Sequence, residues 1–128
     1  MYYVTDTHAF VWYLTDSPQL SKKARDVFNY ADNGEGTIII PAIVLLECID
    51  IVDKKKVRLD FESILIKLSQ GSNFVISEVS WPLILETNRI KGFKDIHDRV
   101  IVSTARLFDA DLISKDAVIT KFYKRTIW

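Results

Sequence analysis

The run Thr37-Ile38-Ile39-Ile40 carries no polar side chain after its first residue, so as a strand it must be covered on both faces. Strands buried in that way belong to parallel sheets, whose crossover helices cover the faces. The neighbouring segments agree. Tyr2-Tyr3-Val4-Thr5 and Phe74-Val75-Ile76 are further β-prone runs, Ala110 to Ser114 is another, and Lys121 to Trp128 supplies a last short one. Segments of helical period lie between them. Thr7 to Leu14 places Phe10, Val11 and Leu14 on one face, and Ser21 caps a polar helix reaching about Ala31. Pro41 suits the first turn of a helix running from Ala42 to about Asp53. Asp60 opens a helix to about Leu68, Ser80 caps another, and one more follows Lys94. Strands alternating with such helices predict βαβ units in an α/β sandwich. At 128 residues, with no linker, repeat or low-complexity segment, the chain reads as a single domain over 1–128.

The stretch from Lys94 to Asp116 gathers acids against that core. Its helix is apolar at Val100, Ile101, Val102, Ala105, Leu107 and Phe108, and Asp98 lies one turn before Ile101 and Val102. That spacing puts Asp98 on or beside the face that must be buried. Asp95 and Asp98 also have the form of a capping box; Asp95 is assigned to the cap and Asp98 to a site. The following strand delivers Asp116 at its C-terminal end, where it suits equally the cap of a helix over Ala117 to Phe122. Asp6 likewise ends a strand and starts a helix. In an open parallel sheet ligands bind in the crevice outside the carboxyl ends of the strands, although capping alone would account for an Asp there. Glu47 stands inside a helix that is apolar nearly all round. A carboxylate in such a helix is costly unless it is paired, protonated or bound to a cation, and the innocent account is a wet stripe shared with Asp50. Two acids on strand ends and two on the adjoining helices point to a cation between them.

Charge and remaining motifs exclude more than they add. Lys and Arg number 17 and so do Asp and Glu, giving no net charge that would draw a polyanion to the whole molecule. Lys54-Lys55-Lys56 reads as a solvated helix end or, with Lys91, Lys94, Arg99, Lys121, Lys124 and Arg125, as a phosphate contact. His8 and His97 lack a partner at metal-ligand spacing and read as surface or packing residues, and Cys48 as packed. One cysteine forms no internal disulfide and fits a reducing compartment. With no signal segment and no membrane-spanning apolar run, the cytoplasm is expected. There is no Gly-rich phosphate loop, zinc spacing or nucleophile elbow.

Four blocks in order carry a resemblance. Asp6-Thr7-His8-Ala9-Phe10-Val11-Trp12-Tyr13-Leu14 resembles the opening motif of PIN-domain ribonucleases, in particular the VapC-type toxins of toxin–antitoxin modules. Ile40-Pro41-Ala42 through Leu46-Glu47 resembles their second block, Asp95 through Ala105 their third, and Leu112-Ile113-Ser114-Lys115-Asp116 their fourth. The sequence departs from many relatives at Ile96-His97, where a Pro and a small or apolar residue are common, and at Ser114, where Thr is common. No carboxylate is lost by either change. The resemblance implies a PIN-like three-layer α/β/α sandwich around a parallel sheet of about five strands. It also implies a pocket of Asp6, Glu47, Asp98 and Asp116 that binds Mg²⁺ or Mn²⁺ and cuts RNA, in a homodimer held by a cognate antitoxin.

The donor chemistry is consistent with that implication. Hard oxygen ligands without sulfur or nitrogen select Mg²⁺ or Mn²⁺. Asp6 and Asp98 are expected as direct ligands, with Glu47 and Asp116 on its waters or on a second ion. Two rival readings remain. A haloacid-dehalogenase-like phosphatase would need an acid at position 8, where His8 stands. A non-catalytic RNA- or partner-binding module with a vestigial pocket would keep the fold without the cleavage. Which RNA is cut is not written in basic residues at helix ends. An apolar groove for a partner helix is expected near Trp12, Tyr13 and the helix at Ala42.

Overall fold

Each β-prone run forms a strand, and every hydrogen-bonded pair of strands is parallel. The computed structural model describes residues 1–128. The strands are β1 (Tyr2–Thr5), β2 (Thr37–Pro41), β3 (Phe74–Ser77), β4 (Asp111–Ile113) and β5 (Thr126–Ile127). The helices are α1 (Thr7–Leu14), α2 (Lys22–Asp32), α3 (Ala42–Asp53), α4 (Phe61–Gln70), α5 (Trp81–Arg89), α6 (Ile96–Leu107) and α7 (Ala117–Phe122). They flank a five-stranded sheet in the order β3-β2-β1-β4-β5, the PIN-like α/β/α sandwich.

That order positions everything that follows. From β1 the chain builds outward through β2 to β3, then returns to the other side of β1 for β4 and β5. The sense of progression therefore reverses between β1 and β4. At such a switch point the two connections leave in opposite directions and open a crevice beyond the carboxyl ends of the strands. Tyr3 pairs with both Ile38 and Asp111, so β1 is the central strand of the register.

Burial follows the sequence pattern closely on β2, where Ile38, Ile39 and Ile40 are all 1% exposed or less. Full burial of each such side chain contributes about 2 kcal/mol. Val4, Leu112 and Ile113 continue that layer, and Ile101, Val102 and Ala105 of α6 pack onto it. The helix starts are set by local chemistry. Asp6, Ser21, Asp60, Ser80, Asp95 and Asp116 each accept a backbone N–H of the helix they precede.

Several expectations are corrected. Leu107 and Phe108 lie beyond the buried stripe of α6 and are exposed, the Phe108 ring standing edge-on to Tyr2 with centroids 6.5 Å apart. Leu46 and Ile49 are exposed on α3, so that helix is not buried all round. Pro41 closes β2 and occupies the N-cap of α3 instead of its first turn. The last segment divides between α7 and a two-residue β5. No helix is long and apolar enough to cross a membrane.

Candidate active site

Asp6 is the last residue of the β1 ladder, its N–H donating to the Ile113 carbonyl at 3.2 Å, and it is also the N-cap of α1. Asp6 therefore caps α1 from the carboxyl end of β1, as the capping reading expects. Its Oδ1 accepts the Ala9 N–H at 2.9 Å and its Oδ2 accepts the Ser114 hydroxyl at 2.5 Å, while only 6% of the residue is exposed. Burial pushes the Asp6 carboxyl above the usual range, against the opposing pull of the Ser114 and Ala9 hydrogen bonds. The buried Ser114 Oγ in turn accepts the Asp116 N–H at 3.1 Å. One hydroxyl thus orders two acids across the switch point. Asp116 spends its Oδ1 on the cap of α7, accepting the Ile119 N–H at 2.9 Å.

Glu47 enters from α3. Its Oε1 accepts the Thr7 hydroxyl at 2.7 Å, which ties α3 to the first turn of α1. The edge shared with Asp50 is open at Asp50, which pairs with Lys54 at 2.8 Å, and only partly open at Glu47. Glu47 is half-buried, and His97 Nδ1 lies 3.5 Å from its Oε2 and 3.7 Å from Asp95 Oδ1. Asp95 caps α6 through the His97 N–H at 2.8 Å and also borders the cleft. Asp98 occupies the first turn of α6 with no hydrogen bond or ion pair of its own. Burial, followed by the charges of Asp95, Asp116, Glu47 and Asp6, pushes it up to about 6.

These acids line one cleft of about 490 Å³ at the switch point. None of Asp6, Glu47, Asp98 and Asp116 is bridged to Lys or Arg. Elsewhere Asp16, Asp26, Glu86, Asp109 and Asp111 all meet a Lys or Arg. The donor set is hard oxygen, and its charge is unneutralised by the chain itself, which suits a divalent cation. No three His, Cys, Asp or Glu side chains converge closely enough to enclose an ion by themselves. Water would therefore complete any coordination shell, as Mg²⁺ ordinarily requires.

Sequence reasoning overlooked the residues that hold the acids. Thr7 and Ser114 lie inside the blocks that drew attention, but a hydroxyl beside an acid carries no distinctive spacing. His97 approaches Glu47 only because α3 and α6 meet. Two of the basic residues grouped with the triple lysine are occupied elsewhere: Arg99 donates to the Thr87 and Asn88 carbonyls, and Arg125 pairs with Asp109 and Asp111. The cation that does border the cleft is Lys115. A larger groove of about 560 Å³ lies among Tyr13, Ile64, Leu68 and Phe74 and contains none of the four acids. Of the groove expected near Trp12, Tyr13 and the helix at Ala42, Tyr13 lines this one, Trp12 borders the acidic cleft instead, and no residue of α3 lines the larger groove.

A parallel sheet whose switch-point crevice collects unbridged carboxylates defines an α/β protein with an acidic cleft at the carboxyl ends of its strands. The chain belongs to the PIN-domain family, whose profile matches residues 3–125. Among solved structures, a chain of a toxin–antitoxin complex from Klebsiella pneumoniae superposes with a TM-score of 0.67 at 16% identity, covering 98% of this chain and 95% of that one. A chain of VapBC2 from Rickettsia felis, bound to a DNA fragment from its promoter, gives 0.65 at 21% identity over 99% and 96%. At these identities the likeness is one of fold. Among curated proteins there is no match.

Proposed function

We propose that the protein is a metal-dependent endoribonuclease, the VapC-type toxin of a toxin–antitoxin pair, that hydrolyses RNA phosphodiester bonds at the acidic cleft. One observation carries this reading: Asp6, Glu47, Asp98 and Asp116 line a single crevice without a Lys or Arg bridge. A chain gains nothing in stability from gathering like charges, so the arrangement answers to a cation. Asp6 and Asp98 would hold Mg²⁺ or Mn²⁺ directly, with Glu47 and Asp116 on its waters or on a second ion. The bound cation supplies Lewis acidity toward a phosphoryl oxygen and makes water a better nucleophile at neutral pH.

The chain's own contribution is orientation. Ser114 and the Ala9 N–H fix both oxygens of Asp6, and Thr7 fixes one oxygen of Glu47, so these carboxylates need not reorganise when charge arrives. Asp98, crowded by its acidic neighbours, gains most from the cation. The antitoxin partner is inferred from the two solved relatives, one described as a toxin–antitoxin complex and the other as VapBC2. A homodimer is supported by the apolar side chains that α5 leaves in solvent, Trp81, Ile84 and Leu85. Cys48, buried and with its thiol pushed up to about 12 by burial, suits a reducing cytoplasm.

Purified protein incubated with RNA and Mn²⁺ or Mg²⁺ should cleave it, and should stop on adding EDTA or on changing Asp98→Asn. Undiminished cleavage by Asp98→Asn would overturn the assignment. Absence of cleavage by the wild-type protein under all metal conditions would leave the non-catalytic module as the better reading.

A further inference from the structure

The acidic cleft has a second wall of different chemistry. Trp12 stands one helical turn after His8 on α1, and their rings lie 5.7 Å apart at 46°. Trp128, following β5, meets Trp12 edge-on at 5.7 Å. Lys115 Nζ lies over the Trp12 ring at 5.9 Å from its centroid, near the limit for a cation–π contact. All four side chains border the same cleft as the carboxylates.

Ordinary core packing does not describe this wall. Trp12 and Trp128 are only partly buried and His8 is exposed. Neither indole N–H donates to any protein acceptor, and Lys115 forms no ion pair although Asp116 is its neighbour in sequence. A buried Tyr or Trp normally finds a partner for its polar atom. Here the polar atoms and the one Lys of the cleft are left available beside an aromatic face.

We propose that Trp12, Trp128 and Lys115 form a base-binding subsite: one unpaired nucleobase of the RNA stacks on the Trp12–Trp128 wall while Lys115 holds a phosphate of the same nucleotide. This rests on the ribonuclease reading for its ligand. The base replaces Lys115 over the Trp12 ring, and the ammonium exchanges a weak cation–π contact for a phosphate. The wall accepts any base, because every base has a π-face, and its work is to position the adjoining phosphate over the carboxylates. Trp12 and Lys115 are thus positioning residues for the scissile bond. A paired base, already stacked on its neighbours in a duplex, cannot offer its face to the wall.

The test measures binding, separately from cleavage. A labelled single-stranded hexaribonucleotide and its abasic counterpart are titrated against the full chain in Mg²⁺ on the Asp98→Asn background. We expect the base-bearing strand to bind about tenfold tighter, a typical effect of one base–aromatic stack. Trp12→Leu and Trp128→Ala should remove most of that difference, whereas Trp12→Phe, which keeps an aromatic face, retains it. Lys115→Gln should weaken both strands alike and lower the salt slope by about one. A second readout needs no change in the wall. In Trp81→Phe protein, whose only tryptophans are Trp12 and Trp128, the hexaribonucleotide quenches indole emission and the abasic strand does not. Equal affinity for the two strands, equal quenching, or wild-type binding by a folded Trp12→Leu protein would overturn the subsite. A protein that never cleaves RNA yet discriminates the two strands would refute the nuclease while leaving the subsite standing.

Discussion

At the scale of the residue, Ser114 and Asp98 are opposites. Ser114 is a neutral side chain on which two charged ones depend, since its hydroxyl reaches Asp6 and receives the Asp116 N–H. Ser114→Ala leaves Asp6 Oδ2 buried without that donor. It should lower cleavage about 10–100-fold, as losing an outer partner of a metal ligand does, and Ser114→Thr should restore most of it. Rates for the two variants at saturating Mn²⁺ check this. Asp98 has the reverse problem, a carboxylate with no donor and several acidic neighbours. Its folded value of about 6 lies above the ordinary value near 4, so between those pH values the folded state holds the proton more tightly than the unfolded chain. Stability from this group is therefore present at low pH and is lost as pH rises from about 4 to 6. Metal-free protein should melt at lower temperature at pH 7 than at pH 5 by this contribution, and Asp98→Asn should remove that part of the slope. At pH 7 the same change should raise the melting temperature of metal-free protein while abolishing cleavage, as scanning calorimetry and the RNA assay would report. Asp6, Glu47, Asp98 and Asp116 were legible as candidates because an acid on an apolar face or a strand end stands out. Thr7, Ser114 and Lys115 were not, because nothing in their spacing separates a hydroxyl that orders a carboxylate, or a lysine over a ring, from ordinary surface polarity.

At the scale of the element, β2 and α6 carry the structure and the site respectively. Ile39 is 1% exposed between two layers of helices, and Ile39→Ala should cost about 3 kcal/mol of unfolding free energy, measured by urea denaturation with an unchanged m-value. Cleavage per folded molecule should be unaffected, because β2 supplies no acid. In α6 the buried stripe through Ile101, Val102 and Ala105 fixes the rotation of the helix and so aims Asp98 one turn earlier toward the cleft. Leu107 and Phe108 looked like part of that stripe, but the helix ends there and Phe108 is its C-cap, so the period no longer applies. The exposed Leu46 and Ile49 of α3 show the same limit from the other side. Hydrophobicity predicts which residues want burial; which of them meet another layer depends on where the layers stop.

At the scale of the whole molecule, the acids act on stability together. A cation that binds only the folded state stabilises it by RT ln(1 + [L]/Kd), about 2.7 kcal/mol at a hundredfold excess over Kd. Mn²⁺ or Mg²⁺ should therefore raise the melting temperature at pH 7.5. The rise should shrink at pH 5, where protons compete with the cation for Asp98, and the upward shift that burial gives Asp6 acts in the same direction. No shift at pH 7.5 would remove the metal from the site. The fold class was readable from the chain alone, because a β-branched run without polar breaks can be satisfied only between two helical layers. The acids were readable as types for the same kind of reason: a carboxylate is costly against a core wherever it stands. Only the tertiary structure decided that these acids meet. Strand β1 lies in the middle of the sheet, and the return from β3 to β4 brings Ser114 beside Asp6, 108 residues away in sequence. Strand order is a property of how layers close over one another, and local period and propensity do not contain it.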